Sequence, residues 1–272
     1  MIIFTNALLV SELAAGSPLT RARILWQNWL RDLEPAAVVA SSEEVGFPAD
    51  AVLRPDTAEG WKPFSLPATL TIDLGQMRSI DAAGLVATLG SAGASGGIAT
   101  SPDGVSFDDF SLEVNPADDA PIMFLDDSVA ARYLRLTVDG DGEAPIVPVL
   151  YAGEALVMPR AIYGGLTPPT LARETVLHGS ESRGGQILGQ GFRRHGVAGS
   201  MPFRHIPASF YRSDIDPFVR AARSYPAFIA WRPETFPLEV IYARIPGDIH
   251  PQNEGKRDFM SFELPYRGIG HE

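Results

Sequence analysis

Cysteine is absent from the chain. Disulfide frameworks, thiolate metal sites and cysteine nucleophiles are therefore excluded, the redox compartment stays open, and the fold must stand on packing alone. Histidine is scarce: His178, His195, His205, His250 and His271 all fall in the C-terminal half, and no two have the spacing that sets a pair of ligands on one helix face. A His-Glu-x-x-His zinc motif and a Walker-type phosphate loop are missing too. Gly189-Gln190-Gly191 lacks the third glycine of a dinucleotide fingerprint and reads as a turn. The expectation is a binding or assembly part and not an enzyme, with no catalytic residues, no metal and no cofactor.

Basic residues are short in one half only. Residues 1–150 carry 8 Lys+Arg against 21 Asp+Glu, a net −13, whereas residues 151–272 carry 14 against 12, a net +2. An acidic half has no means of neutralising a phosphate backbone, so sequence-specific nucleic-acid binding is not expected. Long apolar runs are also missing. The charge-free stretch 82–100 has the length of a membrane span, but only Leu85, Val86, Leu89 and Ile98 in it are strongly apolar, so it reads as a strand and a loop without membrane insertion. Met1-Ile2-Ile3-Phe4-Thr5-Asn6 lacks the positive start of a secretory signal, which predicts synthesis in the cytoplasm.

The 272 residues have room for two ordinary domains, and glycine and proline punctuate them throughout, which predicts a mainly β chain of short strands. Thr69, Thr71 and Asp73 alternate with Leu70, Ile72 and Leu74, the pattern of a strand with one buried face, which Gly75 is expected to end. Pro102-Asp103-Gly104 supplies turn chemistry, after which Val105 and Phe107 resume the alternation. Arg132 and Arg135 are interleaved with Tyr133, Leu134, Leu136 and Val138, as in a closing strand whose cations lie along its rim.

In the second half the one convincing helix is 213–224, capped by Ser213 or Asp214, with Pro217 early and an apolar stripe of Ile215, Phe218, Val219 and Ala222. Candidate strands are 227–231, 239–245 and 257–264. Between Ser17 and Leu33 a helical stripe of Ala22, Leu25, Trp26, Trp29, Leu30 and Leu33 competes with an extended entry to the first sandwich; the extended reading is preferred. Asp108-Asp109, Asp118-Asp119 and Asp126-Asp127 are paired in sequence, but neighbours on a strand point to opposite faces, so these read as solvated carboxylates. The acidic turn 139–143 is the least poor calcium candidate, and no calcium is expected there.

Ala40-Ser41-Ser42-Glu43, Ala51-Val52-Leu53 leading to Trp61, Leu70-Thr71-Ile72-Asp73-Leu74-Gly75, Ser101-Pro102-Asp103-Gly104-Val105-Ser106-Phe107 and Ala131-Arg132-Tyr133-Leu134-Arg135-Leu136 follow one another in an order and at spacings that resemble the discoidin family, the coagulation factor V/VIII C-type domain. The resemblance spans residues 35–138. It implies a discoidin-like (galactose-binding-like) jelly-roll β-sandwich over residues 1–150 with an N-terminal extension, and glycan- or lipid-facing loops at one end. Mapped by order, those loops are 43–47 and 56–62. Phe47 or Trp61 would stack on a sugar, with Glu44 or Lys62 orienting it, although the family pattern uses the Trp61 position for packing.

A second resemblance lies in Met158-Pro159-Arg160-Ala161-Ile162-Tyr163-Gly164-Gly165, Gly184-Gly185-Gln186-Ile187-Leu188-Gly189 and Asp216-Pro217-Phe218 through Ala230-Trp231-Arg232-Pro233-Glu234, which look like tail structural proteins of long-tailed bacteriophages. It implies a tail-tube-like or distal-tail-like β-sandwich with one short helix over residues 151–272, closing into a homo-oligomeric ring, a hexamer first and a trimer second. Its partners would be neighbouring tail-tube and tail-hub proteins in the virion, with the first sandwich projecting towards host surface glycans. The alternative is a soluble carbohydrate-binding protein in which the discoidin-like sandwich does the recognition; a third reading is an accessory part of a hydrolase.

Overall fold

The computed structural model describes residues 2–5, 20–89, 93–112, 122–162, 164–194, 196–236, 239–255 and 258–268. In chain order the strands of the first half are β1 (Ile2–Thr5), β2 (Arg23–Leu25), β3 (Val38–Ala40), β4 (Ala68–Val86), β5 (Ser95–Ser101), β6 (Asp108–Leu112), β7 (Ile122–Asp139) and β8 (Val149–Gly153). Those of the second are β9 (Leu156–Val157), β10 (Val176–Glu181), β11 (Ile187–Arg194), β12 (Val197–Pro207), β13 (Ala227–Ala230), β14 (Val240–Arg244), β15 (Gln252–Asn253) and β16 (Phe259–Gly268). The chain is mainly β, built from curled antiparallel sheets in a sandwich arrangement with one short helical run.

Two long bent strands organise the first sheet, which runs β3-β4-β7-β5-β6 with β1 added to β7 and β8 added to β4. In the first part of β4, Leu70, Ile72 and Leu74 turn into the core and pair in register with β7, Leu70 opposite Leu136 and Ile72 opposite Leu134. The strand does not end at Gly75. That glycine takes φ +75°, the ladder shifts register between Asp73 and Arg78 and again between Ile80 and Ala82, and β4 continues to Val86, now also paired with β8. Bulges of this kind bend a strand without ending it, so one strand serves both walls of the sandwich.

The rim arginines are structural, as the interleaving predicts. Arg132 grips Asp73 with two parallel hydrogen bonds of 2.8 Å, which hold the carboxyl below its ordinary range. Arg135 donates to the Thr71 hydroxyl (3.2 Å) and lies 3.6 Å over the Phe107 ring. Phe107 and Val105 belong to the loop between β5 and β6, not to the resumed strand, because the Asp103 carboxylate accepts the backbone N–H groups of Val105 (2.8 Å) and Ser106 (3.1 Å) and holds the loop.

The second sheet runs β12-β16-β14-β13-β2-β9, with β15 on β16. β2 comes from the segment read as an entry to the first sandwich. It is extended, as preferred, but it pairs with β13 (Leu25 opposite Phe228) and β9 (Arg23 opposite Val157), deep in the sheet of the C-terminal half. Asn28 then ties the following turn to β8, donating to the Leu150 carbonyl (3.3 Å) and accepting from Ala152 N–H (3.2 Å).

Helical run α1 begins earlier than the cap residues suggest: Ala208–Phe210 is α, Tyr211–Ile215 π and Asp216–Ala221 α. Ser213 lies inside it, its hydroxyl donating back to the Ser209 carbonyl (3.1 Å). The stripe itself is as read, with Ile215, Phe218, Val219 and Ala222 buried against Phe203, Phe262 and Tyr266. β10 and β11 form a hairpin paired with no other strand among the described residues.

Three apolar clusters hold the chain. One fills the first sandwich around Trp61, Leu70, Leu134 and Leu136. A second lies under α1. The third joins the two sheets through Leu25, Ala82, Phe124, Val149, Tyr151, Phe228 and Tyr242. Phe228 packs edge-on to Tyr151 (5.5 Å between centroids) and tilted against Tyr242 (4.8 Å). It lies flat against Gly84, where any Cβ would come within 3.1 Å of the ring. The two phenols reach out of this cluster to backbone carbonyls, Tyr151 to Pro226 (3.1 Å) and Tyr242 to Pro55 (2.6 Å). Burial raises both of their pKa values. Buried Arg23 lies 5.1 Å over the Phe124 ring, and its charge lowers the Asp81 pKa, which burial raises more strongly.

Because Phe228 is fully buried between the sheets, Phe228→Ala is expected to cost about 3–5 kcal/mol in denaturant unfolding, the range for a buried aromatic truncated to alanine. Hydrogen exchange in the same variant should speed up on both β4 and β14, the two strands that flank the lost ring.

Candidate functional site

Three segments, 42–47, 61–64 and 143–147, converge at one end of the first sandwich. Residues 42–47 are tied to 61–64 by the backbone bond from Glu44 N–H to the Lys62 carbonyl (2.8 Å), and Phe47 N–H to the Glu44 carbonyl (3.0 Å) closes a turn within the first segment. Segment 61–64 is tied to the third by the reciprocal pair between Trp61 and Val147 (2.9 and 2.8 Å). The approach requires glycine at position 60, since a Cβ there would lie 2.8 Å from Ile146 and from the Pro148 backbone.

Lys62 is the hub of this cluster. Its ammonium reaches Glu44 (3.1 Å) from the first segment and Glu143 (3.3 Å) from the third, and it lies 5.9 Å over the Phe47 ring. The hydrogen bonds to Glu44 and then Glu143 hold the lysine pKa above its ordinary value. The two carboxylates outweigh the single ammonium, leaving the cluster at net −1. Such a site disfavours anions and suits neutral ligands rich in hydroxyls, to which carboxylates and an ammonium offer acceptors and donors already held in place.

The structure thus brings together Glu44, Phe47 and Lys62, three of the four residues read from the sequence, and removes the fourth. Trp61 is 0% exposed, packed in the first core, and its indole N–H donates to the Ser42 carbonyl (3.0 Å), so it offers no face to a ligand. The same segment carries an exposed aromatic that the sequence reading passed over. Phe64 is 77% exposed, its N–H bound to the Ser42 hydroxyl (3.2 Å), and Val45 on the opposing loop is 98% exposed. The available signal was Pro63-Phe64-Ser65, an aromatic in a loop with no alternation to bury it.

Elsewhere, Ser95 in Gly93-Ala94-Ser95-Gly96-Gly97 opens strand β5 and donates to the Asp139 carbonyl (3.3 Å), so the strand-to-helix turn of a nucleophile elbow is not formed there. No group of three or more His, Asp or Glu side chains gathers as a metal site among the described residues, the acidic turn 139–143 included. Asp118, Asp119, His195 and His271 lie outside the described residues. None of the described residues forms a helix long and apolar enough to cross a membrane.

No protein-family model matches the chain, and no curated protein matches it. Among solved structures it is similar to the CBM32 of AlyQ in complex with 4,5-unsaturated mannuronic acid, at 17% identity over 43% of this chain and 92% of that one, with a TM-score of 0.38. It is similar to chitosan-binding module 1 of a chitosanase/glucanase from Paenibacillus sp. IK-5, at 17% identity over 47% of this chain and 99% of that one, with a TM-score of 0.38. It is also similar to the lectin domain of Lectinolysin complexed with Lewis B antigen, at 12% identity over 48% of this chain and 98% of that one, with a TM-score of 0.40.

The two aromatics of segment 61–64 should separate cleanly in urea unfolding. Trp61→Ala is expected to lose about 3–5 kcal/mol as a core truncation. Phe64→Ala should stay within about 0.5 kcal/mol of the parent, as for an exposed position.

Proposed function

We propose that this chain binds neutral carbohydrate through the loop cluster around Lys62, with Phe64 as the platform for a sugar face. The observation that carries the reading is the pairing of an exposed aromatic with a polar triad that is already assembled. An aromatic ring offers an apolar face to the C–H side of a pyranose, and the triad of Lys62, Glu44 and Glu143 fixes the hydroxyls. The segments are cross-linked by backbone hydrogen bonds, so little ordering cost falls due on binding.

The test is a glycan array probed with the full chain. Neutral glycans should be bound saturably, Phe64→Ala and Lys62→Met should each lower the affinity about tenfold or more, and Val105→Ser, at an exposed loop position away from the cluster, should change nothing. Absence of any neutral ligand, or unaltered binding by Phe64→Ala, would overturn the assignment.

One observation favours a second reading, self-association. The β10–β11 hairpin stands apart from both sheets, and Ile187 and Leu188 on it are 78% and 65% exposed. A lone two-stranded ribbon is marginally stable in water, and adjacent exposed apolar side chains suit a partner surface. A ring of copies of this chain, hexameric or trimeric, with tail-tube and tail-hub neighbours in a virion, is the form of this reading that the resemblance to phage tail proteins implies. Light scattering after gel filtration checks the association: the parent should run as an oligomer and the Ile187→Ser/Leu188→Ser variant as a monomer, whereas a monomeric parent at all concentrations removes the reading.

A further inference from the structure

A groove of about 400 Å³ opens between the β2–β9 edge of the second sheet and α1. It shares no residue with the Lys62 cluster, and its occupant can be argued separately. Trp26 and Gln27 follow β2, Glu154 precedes β9, and Phe210 and Asp214 come from α1. Trp26 and Phe210 are half-buried, and Trp26 is held against Phe218 with ring centroids 6.1 Å apart. Glu154 and Asp214 are exposed at the mouth. The Ser213 hydroxyl lies against the Asp214 carboxylate, and neither carboxylate forms an ion pair among the described residues. Deeper in, the side-chain oxygen of Gln27 is buried without a hydrogen-bond partner.

These features select a ligand by its chemistry. Two carboxylates without an ion-pair partner among the described residues disfavour an anion. An apolar ligand would desolvate the two carboxylates without offering either a counter-charge. A neutral polyol would meet the aromatic wall but leave the acidic mouth unneutralised. A protonated amino sugar answers both: its C–H face lies on Trp26 and Phe210, its ammonium meets Glu154 and Asp214 near the indole face, and a hydroxyl donates to the Gln27 oxygen once that half-buried side chain turns into the groove. The volume falls within the span of about 300–1,000 Å³ usual for small-ligand sites.

We propose that this groove is a binding site for an amino sugar in its ammonium form, distinct from the neutral-glycan site on the first sandwich.

The experiment is calorimetric titration of the full chain with a β-1,4-linked glucosamine tetramer at slightly acid pH, with the fully N-acetylated tetramer and a lysine tripeptide as comparisons. The glucosamine tetramer should bind about tenfold or more tighter than either comparison, the loss of one charge-assisted contact of about 1.5–3 kcal/mol being worth at least that factor. Raised salt should weaken it. The Glu154→Gln/Asp214→Asn variant, altered only at exposed positions, should lose about tenfold or more, and Gln27→Leu should weaken binding without restoring preference for the acetylated form. Phe64→Ala should leave this binding intact. Equal affinity for the two tetramers, no change in the double carboxamide variant, or loss of binding in Phe64→Ala would each overturn the assignment. Tripeptide binding as tight as the sugar's would reject the sugar in favour of a peptide cation.

Discussion

Burial of Phe228 between two sheets is the contact on which the remaining architecture rests. The ring lies against Gly84, where a Cβ would stand 3.1 Å from it, and it is enclosed by Tyr151 from the first sheet and Tyr242 from the second. The phenols, being buried, must find partners, and they find them in the backbone carbonyls of Pro226 and Pro55. Those bonds fix the loop carrying Pro55 against the second sheet. A purely apolar joint could slide; one whose buried hydroxyls are tied to backbone carbonyls loses those bonds when it does. The position of each sheet relative to the other is therefore set by a few atoms, and both candidate ligand sites are carried on that frame.

Much of the frame was legible in the sequence, and the reasons differ from element to element. Alternation in 69–74 and the stripe Ile215, Phe218, Val219 and Ala222 report directly on burial, and both are buried as read. The rim arginines were legible for the same reason, since their neighbours define which face points out. Gly75 was misread because glycine at positive φ serves a bulge as readily as a strand end, and only the partner strand decides between them. The start of α1 was misplaced because Ser213 has the composition of a cap, yet its hydroxyl is satisfied within the helical run. The destination of β2 was not legible at all. Three apolar-flanked residues state that they are buried, not which sheet buries them.

The candidate site divides in the same way. Glu44 and Lys62 could be placed together by loop order, while Glu143, far along the chain, enters only through folding. Trp61 and Phe64 are nearly adjacent and have opposite fates, one sealed in the core and one projecting. Composition treats them alike; the bridge from Trp61 to Val147 distinguishes them. The groove beside α1 was invisible beforehand, since it is assembled from Trp26, Glu154 and Asp214, which share nothing but a place in the fold. Its acidic mouth and the near-balanced Lys62 triad differ in charge, and it is on that difference that the two proposals name different ligands.

The route taken by β2 bears on how the chain is made. Arg23–Leu25 is synthesised well before Ala227–Ala230, one of the two strands it pairs with. Until Ala227–Ala230 follows, β2 has only the short strand β9 to pair with, and closing its other edge must bring together segments far apart in sequence, a slow and entropically costly step. One edge of that apolar strand consequently stays open until β13 is made, the kind of unpaired edge through which incompletely folded chains associate.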